Sequence, residues 1–118
     1  MKSEYGSTKD KVTYSLYAML FDLGLSPSNK GTFYLKELIE YIVSNGIYDH
    51  TYKEILQQFA GEKHYDLKKL QGNIKNAIYY LDTTKAQKNF EKYFRIPFDI
   101  FYLSPSKLIS LIALTLLS

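Results

Sequence analysis

Apolar residues recur at helical spacing along most of this chain, most sharply at Leu67, Leu70, Ile74, Ala77, Ile78 and Leu81. The opposite side of that helix carries Lys68, Lys69, Gly72, Lys75, Asn76 and Tyr79, with no carboxylate before Asp82. The same periodicity predicts a first helix over 11–23, with Val12, Leu16, Met19, Leu20 and Leu23 inward. Gly24 is placed to end it, and the SPSNKG stretch reads as a loop because Pro27 and Gly31 resist helix continuation. Thr32 is read as the cap of a second helix to Ser44 that buries Phe33, Leu35, Leu38, Ile39 and Ile42 and stops at Asn45 and Gly46.

A third helix is predicted from a Thr51 cap to Phe59 or Ala60, burying Ile55, Leu56 and Phe59, with Gly61 as its stop. Asp66 then caps the fourth, 67–82, and Thr83 or Thr84 caps a short fifth carrying Phe90, Tyr93 and Phe94. Residues 95–103 read as extended or loop-like around Pro97. Ser104 and Pro105 open a last helix that runs to the terminus. No segment alternates as a strand does, and no repeat is present. The predicted fold is all-α, a compact six-helix domain over 11–118 containing a helix-turn-helix, preceded by a flexible polar tail at 1–10. The last helix is unusual: Leu108, Ile109, Leu111, Ile112, Leu114, Leu116 and Leu117 surround it. Such a helix either sits in the middle of the domain or offers one side to a second copy.

Composition narrows the class. A length of 118 residues, 46% hydrophobic and 23% charged, suits one globular domain. The net charge of +3 is modest, but its placement is not. From Gly61 to Arg95 the basic Lys63, Lys68, Lys69, Lys75, Lys85, Lys88, Lys92 and Arg95 outnumber Glu62, Asp66, Asp82 and Glu91, so the positive excess lies in this segment. The absence of cysteine excludes disulfides, thiolate metal sites and thiol nucleophiles. The opening MKSEYGSTKDK lacks the apolar stretch of a signal peptide, and the longest apolar run, 108–117, is about half of what a membrane span needs. The expectation is a soluble, cytoplasmic protein without a membrane partner.

A helix pinned along one apolar edge, with lysines and amides turned outward, suits the major groove of double-stranded DNA. Lysine meets phosphates or guanine edges there, and asparagine meets an adenine edge. The DNA-binding set is therefore Lys68, Lys69, Gln71, Gly72, Lys75 and Asn76, with Lys63, His64 and Tyr79 as backbone contacts. A solvated amphipathic helix would show the same pattern.

With the elements in order, the chain resembles the DNA-binding effector domain of the stage-zero sporulation response regulator, over about 14–117. The resemblance is carried by DLGLSPSNKGTFYLKELI (22–39), by 52–59, by NIKNAI (73–78) and by 106–116, in that order and spacing. It implies a six-helix domain whose helix-turn-helix binds a short promoter element, with tandem copies or a homodimer on DNA. NIKNAI fixes the register, so the resemblance carries the DNA-contact role to Lys75 and Asn76 first, and to Lys68 and Lys69 as phosphate contacts.

Three departures stand out. The family has an arginine where this chain has Gly72, a residue that loses a guanine reader and costs the helix about 1 kcal/mol relative to alanine. The link at 60–66 reads as about four residues longer than the family's, against the usual turn of 3–4 residues. The full-length regulator carries a phosphoacceptor receiver domain ahead of this one, whereas here a short polar tail opens the chain, as in a fragment or a free-standing effector domain.

Two functions follow from different classes. One is sequence-specific transcriptional regulation through DNA. The other is a protein-interaction module that keeps the fold, has lost the reading, and modulates a full-length regulator through its apolar last helix. Catalysis is disfavoured. His50 and His64 have no metal-ligand spacing with other residues, the glycines are scattered and form no phosphate loop, and Glu37, Glu40 and Glu54 read as solvated helix faces. No cofactor, metal or small-molecule substrate is implied.

Overall fold

Six α-helices and no strand make up the described residues, 8–99 and 103–117 of the computed structural model, with side chains from Ser15 onward. They are α1 (Thr8–Asp22), α2 (Lys30–Asn45), α3 (Tyr52–Lys63), α4 (Leu67–Tyr79), α5 (Thr83–Phe94) and α6 (Pro105–Leu117). The expected tail at 1–7 and the inward position of Val12 lie outside what is described. Residues 8–10, expected in the tail, open α1. Lysine and threonine there add no apolar periodicity, yet lysine is a good helix former.

α2 is the hub. It packs most extensively on α4 and also against α1, α3 and α6. Leu35, Leu38, Ile39 and Ile42 are buried along it and meet Leu16, Leu20, Leu56, Phe59, Leu70, Ile74, Leu108 and Ile112 in one core. Phe33 departs from expectation and is 41% exposed. It lies two residues from Leu35 and so nearly opposite it on the helix, where the Lys36 ammonium sits 5.0 Å from its ring.

The helix ends follow local chemistry. Thr51 caps α3 as expected, in a reciprocal box with Glu54. The Thr51 backbone N–H donates to the Glu54 carboxylate and holds it below the usual carboxylate range. Asp66 caps α4, Ser104 accepts from the Lys107 N–H at the head of α6, and Gly46 ends α2 in the left-handed region. Two caps differ from expectation. Asn29, not Thr32, caps α2, its Oδ1 accepting from the Gly31 N–H at 2.8 Å. Asp82, not Thr83 or Thr84, caps α5 by accepting from both Thr84 and Lys85. In each case a residue upstream has a longer-reaching oxygen that satisfies free N–H groups first. Thr32 is thereby carried into the interior, 1% exposed, with its hydroxyl unpaired among the described residues.

α6 is neither central nor fully outside. Leu108, Ile109, Ile112 and Ala113 are buried, while Leu114 and Leu117 are 59% and 54% exposed. No helix among the described residues is long and apolar enough to cross a membrane.

Tyrosine–carboxylate bonds tie the helices together at the surface. Tyr41 donates to Glu62 (2.6 Å), Tyr65 to Glu37 (2.8 Å) and Tyr93 to Asp22 (2.5 Å). The bond to the carboxylate is the first cause raising Tyr41 and Tyr65 to about 12, and burial is the first cause for Tyr93, also about 12. The unfolded chain releases these protons near pH 10. Stability from the three bonds is therefore full below pH 10 and lost as pH rises toward 12. Urea melts across that interval should show a falling midpoint, and Tyr93→Phe combined with Tyr65→Phe should flatten the decline. An equal decline in that variant would remove this account.

Candidate nucleic-acid interface

α4 is held at both ends and in the middle, and each hold has a sequence cause. At its start, Asp66 Oδ1 accepts the Lys69 N–H at 2.9 Å. The preceding connection is short because α3 does not stop at Gly61 as expected. It continues to Lys63, and His64 takes the left-handed conformation (φ 59°) instead. The Tyr65 N–H reaches back to the Ala60 carbonyl at 2.9 Å, and its ring meets Phe59 and Tyr34 edge-on. That is a Schellman ending with its usual apolar contact. Burying Tyr65 against Phe59 decides the stopping point, and Gly61 has no neighbour forcing it out of the helix. The residues expected to lengthen the link to 60–66 are thus taken up by α3, leaving His64, Tyr65 and Asp66 between the helices.

The middle of α4 rests on Gly31, which was expected in the loop before α2 but lies inside its first turn. A Cβ at Gly31 would overlap the Asn73 carbonyl oxygen and lie 2.7 Å from Ala77 Cβ. At the far end, α4 stops at Tyr79 rather than Asp82. The Asp82 N–H donates to the Gly24 carbonyl (2.8 Å), and Gly24 (φ +95°) comes too close to that backbone for a side chain.

Fixed this way, α4 buries Leu70, Ile74, Ala77 and Ile78 and leaves Lys68, Lys69, Gln71, Gly72, Lys75, Asn76 and Tyr79 exposed. Lys68, Gly72, Lys75 and Tyr79 fall in one row about 16 Å long, flanked by Gln71 on one side and by Lys69 and Asn76 on the other. The ion pairs Lys36–Glu40 and Asp49–His50 both lie away from α4. Among the described residues, no ion pair engages the three lysines of α4. Asn73, the other asparagine of NIKNAI, is half-buried and donates to the Lys69 carbonyl, so it is spent internally, whereas the Asn76 side chain has no hydrogen-bond partner among the described residues. Lys63 and His64 are exposed at the α3 end of the corner.

Two residues that matter to this face lie outside the expected set. Tyr80 is exposed and meets Tyr79 edge-on at 4.9 Å, extending the outward face past the helix end. The Tyr79–Tyr80 doublet between the stripe residues Ile78 and Leu81 was the available signal. Gly31 positions α4 without facing outward, and a glycine followed at once by helical periodicity can mark a close backbone approach. The carboxylates expected on solvated faces have defined work: Glu37 accepts from Tyr65 and Glu40 pairs with Lys36, both half-buried. No group of three His, Asp or Glu among the described residues could hold a metal ion.

Space at Gly72 is open, with no atom within 4 Å of where a Cβ would stand. Gly72→Ala should therefore stabilise the domain by up to about 1 kcal/mol, the helix-propensity difference alone. Chemical denaturation would read the shift, and a loss of stability would mean that the backbone there is not plain helix.

Comparison of the chain with family models, curated proteins and solved structures returns no match.

Proposed function

We propose that this chain is a sequence-specific DNA-binding transcriptional regulator resembling the sporulation response regulator effector domain, with α3 and α4 as its helix-turn-helix. The observation that carries this reading is the outward face of α4. Lys68, Lys69, Lys75, Asn76 and Gln71 are all exposed there, no carboxylate interrupts them, and a three-residue corner precedes them. Lys68 and Lys69, with Lys63 and His64 at the corner, meet phosphates and set register; Lys75, Asn76 and Gln71 meet base edges. Gly72 supplies no reader, so the operator differs from one read by a family member with arginine there. Tandem copies or a homodimer would supply a second half-site.

Selection of bound sequences from a random DNA pool tests the reading directly. A recovered motif of a few base pairs, bound with steep salt dependence, supports it. Recovery of no motif, together with salt-insensitive or absent duplex binding, removes it.

The exposed Leu114 and Leu117 favour a second reading, a protein-interaction module that modulates a full-length regulator through α6. Association with such a regulator after Lys75→Ala and Asn76→Ala, but not after Leu117→Glu, would favour that module.

A further inference from the structure

A cavity of about 350 Å³ lies between the α2–α3 connection, the start of α3 and α6, away from the outward face of α4. It is a cleft open to solvent on one side, and its volume falls within the size range of small-molecule sites. The buried Ile42, Ile55, Ile109 and Ala113 contribute apolar surface to its lining, and Tyr52 and Ser110 contribute hydroxyls. Among the described residues, no lysine, arginine, aspartate or glutamate lines it.

Tyr52 is half-buried, and its hydroxyl finds no acceptor among the described residues. A tyrosine hydroxyl in such a position ordinarily has one. Burial alone pushes Tyr52 up to about 12, so it stays a neutral donor. The His50 Nδ1 lies 3.1 Å from the exposed Asp49 carboxylate. That carboxylate and Glu54 on the first turn of α3 make the rim unfavourable for an anion.

From these features we infer that the cavity is a binding site for an uncharged small molecule with an apolar ring or short chain and one hydrogen-bond acceptor. The acceptor takes the Tyr52 proton, and the apolar body lies on Ile42, Ile109 and Ala113. The inference is independent of DNA reading by α4. α2 and α6, which form two of the walls, both pack on α4, so occupancy has a direct mechanical route to that helix.

The test is protein-observed NMR titration with 2-naphthamide, a neutral bicycle with a carbonyl acceptor, against 2-naphthoate, its anionic counterpart of the same size. Saturable shifts at the Ile42, Ile55, Ile109 and Ala113 methyls are expected with the amide, with weaker binding of the carboxylate by about tenfold or more. Tyr52→Phe should weaken the amide by about fivefold through loss of one hydrogen bond. Ser110→Phe, at an exposed rim position tolerant of substitution, should abolish binding while leaving the melting temperature near wild type. Absence of saturation up to about 1 mM, preference for the carboxylate, or shifts that persist in the Ser110→Phe variant would each overturn the inference.

Discussion

Gly31→Ala is expected to destabilise the domain by about 3 kcal/mol, one of the two largest effects anticipated for a single site. The added methyl has nowhere to go: it meets the Asn73 carbonyl oxygen and Ala77 Cβ, and both belong to helix backbone or a buried methyl rather than to a flexible side chain. The gain in helix propensity from replacing glycine, about 1 kcal/mol, works in the opposite direction and is too small to win. α2 and α4 must separate, which opens the core around Leu35, Leu38 and Ile74. A fall in melting temperature of roughly 10 °C is the corresponding readout. The contrast with Gly72→Ala makes the test sharp, since the same substitution in an open position should stabilise. If Gly31→Ala melts with wild type, the close approach of α2 to α4 is not what holds the helix in place. On the DNA-reading proposal, loss of binding would accompany the destabilisation, because Gly31 sets where the outward face sits.

On the same proposal, Lys75→Ala together with Asn76→Ala should weaken binding to the selected operator by about 100-fold. Two base-edge contacts at about 1–3 kcal/mol each justify that magnitude, with non-specific binding falling much less. Lys68→Ala with Lys69→Ala should act differently. They should weaken all sequences alike and reduce the slope of log affinity against log salt by about 2. All four side chains are exposed, so neither variant should shift the melting temperature appreciably. Anisotropy titrations over a range of salt separate the two patterns. Equal operator affinity in the Lys75/Asn76 variant would remove base reading by α4 and leave the interaction-module alternative standing.

The helix count, the all-α class and the two-faced character of α4 were legible in the chain. A stripe such as Leu70, Ile74, Ala77 and Ile78 buries itself wherever the helix docks, so exposure of Lys68, Lys75 and Asn76 followed from periodicity alone. Caps with a short oxygen beside the first turn, Thr51, Asp66 and Ser104, were equally readable. What failed was placement of residues that serve two elements at once. Gly61 looked like a helix stop, yet the stop moved to His64 because Tyr65 finds Phe59, Tyr34 and Glu37. Phe33 was placed on the buried side of α2, although its position two residues from Leu35 turns it outward.

Local rules such as spacing, capping atoms and charge runs act over a turn or two, and those the sequence determines by itself: where helices form, which edge of α4 is greasy and where the positive excess lies. The tertiary structure alone decided that Gly31 sits beneath Asn73, that the corner before α4 is three residues long, that α6 leaves Leu114 and Leu117 outside, and that a cavity opens beside Tyr52. Each of these depends on a contact between residues far apart in the chain. Such contacts are settled by steric fit and competition for burial, and neither is encoded in any single window of sequence.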